Sequence, residues 1–448
     1  MKRRTIPIVA LAAAALTIPF TATAANATAT EDELVAICEE LYGDVFGTPN
    51  TEPLGVCQWD MALIDAGTES YALATGEGVS VGVIDSGVDL DHPDIAPNLD
   101  LGRSCSFIFD DTPTAAPVEI ANGDCSNKAA VDDLAGHGTH VASIIAAPVN
   151  DIGIAGVAPD ATIVALKACT EAGFCFVDSV VAALRYAGDQ GLDIVNLSLF
   201  ADPFLYYCKN EAEQRAMLGE LESAARYATQ RGVLIVASAG NEADDLQHPS
   251  EDTISPDWPP DTAETRAITN ACRVFPAESP QALTVSATGP IGYPGYDLWI
   301  ADYSSVGMSR VDVAAPGGDY FQATGTVQDA VLGAIPIGSE IWNAFDPLEP
   351  DLPGLTVVAD GAGYIYLNGT SMSSPHAAGV AALVVERHPG WSPNAVRAAV
   401  MRSATHLDCP VDWAPLDAQD ERDRCYGGGG RTSFFGTGMV NALNAAMG

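Results

Sequence analysis

Short runs of apolar residues recur along the chain, and their lengths predict strands that are buried on both faces. Each run has five or six residues rich in Val, Ile and Leu, which is typical of strands in a parallel sheet. The runs lack a regular alternation with polar residues, so neither face of these strands is expected to contact water. The predicted strands cover residues 79–84, 162–167, 194–199, 233–237 and 283–287.

Longer segments between these runs have the apolar spacing of helices, at residues 139–147, 179–190, 211–231 and 373–387. A further helix is predicted at residues 394–403, where Ser392 provides the N-cap and Pro393 the first helical position. Strands that alternate with helices form a parallel sheet with helices on both faces. The chain is therefore predicted to be an α/β protein of three layers with a mostly parallel sheet.

The first 27 residues have the features of a secretory signal peptide. A basic start precedes an apolar run over residues 6–20 and small residues at positions 22–27. Two prolines interrupt the run, which makes it unsuitable as a membrane span. Cleavage after Ala24 or Ala27 is expected, so the protein is predicted to be secreted and to have no membrane contact once the signal is removed.

The charge of the chain excludes one large class of partners. Its formal net charge is −39, with 59 acidic residues against 20 lysines and arginines. Nucleic-acid binding is excluded because phosphates require a basic face. The acidic residues are spread over the whole sequence, which indicates a role in solubility rather than an acidic cleft for basic substrates.

The ten cysteines all lie beyond the predicted signal peptide, and an even number in an exported chain indicates disulfide bonds. The spacing alone leaves the connectivity open, and we favour pairing of each cysteine with its neighbour along the chain. A zinc ribbon has little support because there is no Cys-x-x-Cys pair. The cysteines are Cys38, Cys57, Cys105, Cys125, Cys169, Cys175, Cys208, Cys272, Cys409 and Cys425.

Three short segments, far apart along the chain, each supply one member of a Ser-His-Asp set. Asp85 ends the first predicted strand, at the edge of the sheet where α/β sites form. His137 and Ser371 each lie at the start of a predicted helix, and the N–H groups at a helix start suit a developing oxyanion. A serine nucleophile needs a histidine base, which a carboxylate orients. The set therefore predicts acyl transfer through Ser371.

Two other chemistries fit these residues less well. His137 and His140 are spaced like a metal-binding pair, but neither an HExxH motif nor a cluster of carboxylates accompanies them. His140 is interpreted as a structural residue that faces the helix interior. Ser371 does not lie in a Gly-x-Ser-x-Gly elbow, because position 373 is also serine, and this disfavours an α/β-hydrolase esterase.

The chain resembles the subtilases, the subtilisin-like serine peptidases, which have their catalytic residues in the order Asp, His, Ser. The resemblance lies in the segments Asp85-Ser86-Gly87, Gly136-His137-Gly138-Thr139-His140 and Gly369-Thr370-Ser371-Met372-Ser373. It implies a subtilisin-like fold. It also implies that Asn241, directly after the strand at 233–237, donates its side-chain amide to the oxyanion beside the Ser371 N–H.

The resemblance extends from Trp59 to the end of the sequence, so residues 59–448 are expected to form the peptidase domain. Four stretches are longer than the pattern requires, at 100–131, 201–225, 244–275 and 317–362, and are expected to be surface insertions. Residues 28–58 contain Cys38 and Cys57. A disulfide there would fit a retained N-terminal arm better than a conventional propeptide that is discarded.

The resemblance also implies where a polypeptide substrate would bind. An extended peptide would pair with the strand edge that follows Asn196, by addition of a strand to the sheet. Phe200 stands where the family usually has glycine, and it is expected to narrow the cleft or to reshape the neighbouring subsite. The first specificity pocket would be lined by Ser198, Leu199, Ser238, Ala239 and Gly240.

A structural calcium ion is a further implication of the resemblance. Asp94 aligns with an acidic ligand that follows the catalytic aspartate, and Asn150 aligns with a loop after the histidine helix. The carbonyl groups of Ile152 and Ile154 would complete a set of oxygen ligands of the kind that calcium prefers. The alternative is an ordinary Asn-Asp-x-Gly turn. No cofactor is expected for the chemistry itself.

Together these features predict a secreted serine endopeptidase, monomeric, that hydrolyses peptide bonds through an acyl-enzyme on Ser371. Two alternatives stay open. One is a subtilase-like binding protein whose cleft is covered by insertions, although such a protein has no need to keep all four chemical groups together. The other is a processing peptidase of narrow specificity, which Phe200 and the insertions near the cleft support.

Overall fold

A computed structural model describes residues 28–295, 299–410 and 425–448, and the predicted signal peptide lies outside these ranges. No helix within them is long and apolar enough to cross a membrane. Their α-helices are α1 Glu31–Tyr42, α2 Trp59–Leu63, α3 Thr68–Tyr71, α4 His137–Ala146, α5 Val177–Asp189, α6 Ala212–Gln230, α7 Glu340–Phe345, α8 Thr370–Arg387, α9 Pro393–Ser403 and α10 Ala442–Met447.

The strands in the same ranges form one large sheet and several small ones. They are β1 Ala29–Thr30, β2 Ser80–Asp85, β3 Cys105–Ser106, β4 Thr162–Lys167, β5 Ile194–Leu197, β6 Tyr206–Cys208, β7 Leu234–Ser238, β8 Glu251–Asp252, β9 Arg266–Ala267, β10 Cys272–Val274, β11 Ala282–Thr288, β12 Val313–Pro316, β13 Val331–Ile335, β14 Thr356–Ala359 and β15 Ala362–Leu367.

The large sheet has seven strands in the order β12-β11-β7-β5-β2-β4-β3, and every neighbouring pair is parallel. All five strands predicted from the apolar runs belong to it. Strand β2 is buried along its whole length, as expected for a strand covered on both faces. The carboxyl end of β2 carries Asp85, so the candidate acid lies at the ligand-binding edge of the sheet.

Helices cover both faces of this sheet, which confirms the predicted three-layer α/β architecture. Helices α4, α8, α9 and α10 enclose one apolar core, and α5 and α6 enclose a second core on the other face. Helix α8 begins at Thr370, three residues before the predicted start. Helix α9 has the predicted N-cap, because the Ser392 hydroxyl accepts a hydrogen bond from the N–H of Ala395.

A second sheet, of four strands in the order β1-β14-β15-β13, packs against α4. Two of its strands, Val331–Ile335 and Thr356–Ala359, come from the stretch 317–362, and they are largely buried. The expectation that this whole stretch is a surface insertion is therefore wrong. Its apolar strands are covered because they pair with β15 and with β1, the first strand of the N-terminal arm.

Five disulfides join each cysteine to its neighbour along the chain, as favoured from the spacing. The pairs are Cys38–Cys57, Cys105–Cys125, Cys169–Cys175, Cys208–Cys272 and Cys409–Cys425. Four of the bonds have sequence separations of 6 to 20 residues and each braces one short segment. Cys208–Cys272 has a separation of 64 residues and joins the stretches 201–225 and 244–275 across α6 and β7. Cross-links of this kind stabilise a fold chiefly by restricting the unfolded chain.

Candidate active site

The acid and the base of the predicted set are in direct contact. Asp85 ends β2, His137 begins α4, and the distance from Asp85 Oδ1 to His137 Nδ1 is 2.8 Å. The same carboxylate oxygen accepts the N–H of Ser86 at 2.7 Å, which fixes its orientation. Because a carboxylate only accepts hydrogen bonds, His137 must carry its proton on Nδ1, and Nε2 is left as the basic nitrogen.

A second buried carboxylate, that of Asp133, holds the start of the histidine helix. It accepts the N–H of Gly136 at 2.8 Å and the N–H and hydroxyl of Thr139 at 2.9 and 2.6 Å. It also accepts the hydroxyl of Ser86 at 2.9 Å, and this links the helix to the loop that carries the candidate acid. The carboxylate thus satisfies N–H groups that a helix start leaves without intrahelical partners.

The surroundings of His137 favour its protonated form. Burial lowers the pKa of the imidazole, but the negative charges of Asp85 and Asp133 and the hydrogen bond to Asp85 outweigh burial, so the net pKa is raised above 6.5. The side chain is still 28% exposed, so a substrate can reach it. By contrast, His140 is fully buried, and burial lowers its pKa to about 3, as expected for a structural residue.

Ser371 lies in the first turn of α8 and is partly exposed. Its hydroxyl donates to the carbonyl oxygen of Ser198 at 3.2 Å. The Ser198 hydroxyl in turn lies 2.8 Å from both the Ser371 carbonyl oxygen and the Ser374 hydroxyl. The segment after β5 is thereby bonded to the first turn of α8, which fixes the position of the candidate nucleophile relative to the sheet.

The side-chain amide of Asn241 is oriented by Thr370, the residue before the serine. Asn241 Oδ1 accepts the Thr370 N–H at 2.9 Å and the Thr370 hydroxyl at 2.8 Å. The Thr370 oxygen also accepts the N–H of Gly240 at 3.1 Å. With its oxygen engaged in this way, the amide turns its NH₂ group in the opposite direction.

The nitrogen of that NH₂ group and the backbone nitrogen of Ser371 lie beside the same small space, next to Gly369. A Cβ atom placed on Gly369 would lie 3.6 Å from both Asn241 Nδ2 and Ser371 N. Gly369 has a φ of 156°, a backbone conformation that favours glycine. The absence of a side chain there also keeps the space between the two donors open. Two donors that converge on one cavity form the arrangement that stabilises an oxyanion.

The expected pocket residues surround this centre in different ways. Leu199 and Gly240 are partly exposed, whereas Ser198, Ser238 and Ala239 are buried and offer little surface to a substrate. The N–H of Ala239 donates to Val285 in the neighbouring strand. The loop after β7 is therefore held rigidly against the sheet while Gly240 remains accessible.

Phe200 does not stand free in the cleft. Its partly buried ring packs on an apolar cluster within the stretch 205–277, which includes Leu205, Tyr206 and Val274. The Cys208–Cys272 disulfide belongs to the same cluster. The Phe200 side chain thus connects the chain after β5 to this disulfide-braced stretch. Any effect of Phe200 on specificity must act through this contact.

The residues expected to bind calcium lie together, but they do not fit the ion. Asp94 is buried, and its carboxylate accepts the N–H of Ile154 at 3.1 Å, the hydroxyl of Tyr364 at 2.7 Å and the amide NH₂ of Asn150 at 3.2 Å. The N–H of Ile152 points to Glu52 and Asn150. Calcium requires converging oxygen ligands, and here hydrogen-bond donors face the acid.

Residues beyond the predicted set help to build the site. Thr370 and Asp133 were not identified from the sequence, although each has a local signal, because one precedes the serine and the other lies four residues before His137. Tyr364 has no such signal, since it reaches Asp94 from the second sheet. Among the described residues, no group of three or more His, Cys, Asp or Glu side chains is placed to hold a metal.

Comparison with known proteins gives consistent results. The chain is 29% identical to M-protease of Shouchella clausii over 86% of its length and 68% of that protein. It is 28% identical to subtilisin Savinase of Lederbergia lenta over 86% of its length and 96% of that protein. The fold is similar to that of the epidermin leader peptide processing serine protease of Staphylococcus aureus, with 20% identity, a TM-score of 0.60, and coverage of 88% and 81% of the two chains.

A family model gives the assignment. Residues 76–438, most of the chain, match the model of the subtilase family. The matched segment contains all four residues that converge at the carboxyl edge of the large sheet. The members named above are proteases, and subtilases need no cofactor for their chemistry. The chain therefore belongs to the subtilase family and is a serine-type endopeptidase.

Proposed function

We propose that the protein is secreted and hydrolyses peptide bonds through an acyl-enzyme on Ser371. In this mechanism the Ser371 hydroxyl, which donates to the Ser198 carbonyl in the structure, turns to donate to Nε2 of His137 when substrate binds. The serine oxygen attacks the scissile carbonyl carbon as Nε2 accepts its proton, and Asp85 stabilises the imidazolium that forms. The observation that carries the proposal is the 2.8 Å contact of Asp85 with His137 at the same sheet edge as Ser371.

The negative oxygen of the tetrahedral intermediate would be bound by Asn241 Nδ2 and by the N–H of Ser371. His137 then gives its proton to the leaving amine, and the C–N bond breaks to leave an ester on Ser371. Water, activated by the same imidazole, hydrolyses that ester and restores the free hydroxyl. The fixed donors act on charge that appears only in the transition state, so they accelerate the chemical step.

The exposure of the site favours an enzyme over a binding protein with a covered cleft. Ser371, Asn241 and His137 are each partly exposed among the described residues, so the insertions leave them accessible. A binding protein also has no use for an amide held by two hydrogen bonds from Thr370 and aimed at the nucleophile. This precision is needed only where an oxyanion forms.

Labelling with a fluorophosphonate probe tests the proposal, because only an activated serine reacts. We expect stoichiometric labelling of the wild type and none of Ser371→Ala, with equal thermal stability of the two proteins. Loss of the nucleophile costs about 10⁶ in kcat in subtilisin, itself a subtilase. A folded wild-type protein that does not react would contradict the proposal and favour the binding protein.

A narrow processing specificity is the second candidate, and the packing of Phe200 supports it. The ring joins the strand edge that is expected to pair with substrate to the disulfide-braced stretch 205–277. This packing restricts the movement of the chain beside the expected substrate site. A peptide library would distinguish the two cases. A general protease should cleave many sequences at similar rates, whereas a processing enzyme should cleave one motif at least about 100-fold faster than the rest, a selectivity that needs about 3 kcal/mol.

We also propose that the arm at residues 28–58 stays with the mature enzyme. Its first strand pairs with Val357 and Val358, and Tyr42 donates to Asp329 at 3.2 Å. Leu34 and Cys38 are fully buried in a core shared with the second sheet. Removal of the arm would expose that core. The intact mass of the secreted protein tests this, and a mature N-terminus near residue 59 would contradict it.

A further inference from the structure

A lysine with no exposed surface lies directly behind the candidate acid. Lys167 is the last residue of β4 and is paired in register with Asp85 on the neighbouring strand. Its ammonium group donates to the carbonyl oxygens of Ser86 and Asp132, the latter at 2.9 Å. Ser86 follows the acid, and Asp132 lies in the loop that leads to His137. One buried cation therefore holds the two segments that carry the acid and the base.

The charge of this lysine is balanced by a residue from a distant loop. Glu119 Oε1 lies 2.8 Å from Lys167 Nζ, and neither side chain is exposed. Glu119 belongs to the segment closed by the Cys105–Cys125 disulfide, and its other oxygen accepts the N–H of Ala116 at 3.0 Å. Since an isolated charge is costly to bury, the carboxylate is what permits a charged lysine at this position.

The ammonium group also influences the carboxylate beneath the histidine helix. Burial raises the pKa of Asp133, while the positive charge of Lys167 and the hydrogen bonds from Thr139 and Gly136 oppose that rise. Ionised Asp133 accepts those N–H groups more strongly than the neutral acid would, and its charge contributes to the raised pKa of His137. The charge of Lys167 thus acts on Asp133, and the charge of Asp133 acts on the base.

We propose that Glu119 is a positioning residue for catalysis, which acts through Lys167 to hold the Asp85 and His137 segments in register. The inference rests on the proposed function, because it assumes that these two residues form the acid–base pair. It gives the disulfide-closed segment 105–125 a part in positioning the catalytic residues. Without this role the segment would be structural only. The lysine alone does not suffice, since its charge requires the counter-ion.

The deciding variant is the double substitution Glu119→Leu with Lys167→Met, because it leaves no unpaired buried charge. We expect a lower melting temperature, because the carbonyl groups of Ser86 and Asp132 lose their donor. Per folded active site, kcat should fall about tenfold or more with KM changed less than about twofold, since small displacements of reacting groups are costly. A double variant with wild-type kcat would overturn the proposal.

Two further measurements keep the test decisive if the double variant folds poorly. Glu119→Gln retains the side-chain shape, and its kcat is expressed per fluorophosphonate-labelled site so that only folded enzyme is counted. The low-field proton resonance of His137 Nδ1–H, recorded without substrate, should shift or broaden in this variant. Unchanged kcat per labelled site together with an unchanged resonance would refute the positioning role.

A matched control separates a positioning effect from a general loss of stability. Asp312 forms an ion pair with Arg397 at 2.6 Å and is also nearly buried, but it joins α9 to the edge of the sheet. Asp312→Asn should lower the melting temperature without changing kcat. If the wild type itself neither reacts with the probe nor cleaves peptides, the proposed function fails, whereas an active wild type with an equally active double variant contradicts only the role of Glu119.

Discussion

The orientation of Asn241 by Thr370 leads to a quantitative prediction for Thr370→Val. Valine keeps the shape of the side chain and the backbone N–H, so Asn241 Oδ1 retains the 2.9 Å hydrogen bond and loses the 2.8 Å bond from the hydroxyl. The N–H of Gly240 also loses its acceptor. The amide is then held by one hydrogen bond, and its NH₂ group samples orientations that miss the oxyanion.

The expected size of the effect follows from the one hydrogen bond that is lost. Such a bond contributes about 1 kcal/mol, which corresponds to a fall in kcat of roughly fivefold, with KM nearly unchanged because the interaction is used in the transition state. The lost hydrogen bond of Gly240 should cost about 0.5–1.5 kcal/mol of folding free energy, because this partly exposed N–H can bond to water instead. Asn241→Ala removes the donor itself and should lower kcat by about 10²–10³, the loss measured in subtilisin, a relative of this protein.

The two substitutions should not be additive. We would measure kcat and KM with a chromogenic peptide for the wild type, Thr370→Val, Asn241→Ala and the double variant, with active sites counted by the fluorophosphonate probe. Because Thr370 acts through Asn241, the double variant should be no slower than Asn241→Ala alone. Losses that multiply would show that Thr370 acts independently of the amide, and the geometric reasoning would be refuted.

Two other results are expected. Burial lowers the pKa of His137, but the charges of Asp85 and Asp133 raise this pKa by more than burial lowers it. The acid limb of kcat/KM against pH should therefore have its midpoint above 6.5. Asp133→Asn removes one of these charges and should move the midpoint to lower pH. Tyr364→Phe should lower the free energy of unfolding in denaturant by about 1–3 kcal/mol, because the buried Asp94 loses a hydrogen-bond donor. EDTA should leave the wild-type melting temperature unchanged. A clear stabilisation by added calcium would contradict the hydrogen-bonded arrangement around Asp94.

Much of the fold was predictable because its strongest signals are local. A run of β-branched and apolar residues marks a doubly buried strand whatever it pairs with, so the five predicted strands all occur in the large sheet. The start of α9 was predictable for the same reason, since Ser392 caps its own helix. Four disulfides followed the simplest pairing because each closes a short segment, whereas Cys208–Cys272, with a separation of 64 residues, forms because the fold places β6 beside β10.

The second sheet was not predicted, because its edge strand β1 comes from the N-terminal arm, far along the chain from β13, β14 and β15. Thr30 pairs with Val358, and a strand of two residues has no periodicity to detect. The stretch 317–362 contains many glycine, proline and aspartate residues, which indicated a surface insertion. Its apolar strands became core only because β15 and the N-terminal arm cover them.

By itself, the sequence determined the family and the α/β architecture and indicated Asp85, His137 and Ser371 as catalytic candidates, because the motifs that carry these residues lie next to strand and helix ends. The tertiary structure alone decided which polar groups are partners. Tyr364 meets Asp94 where calcium was expected, and Glu119 meets Lys167 behind the acid. A buried polar group must be satisfied by whatever the fold brings beside it, and a partner hundreds of residues away leaves no local pattern to identify.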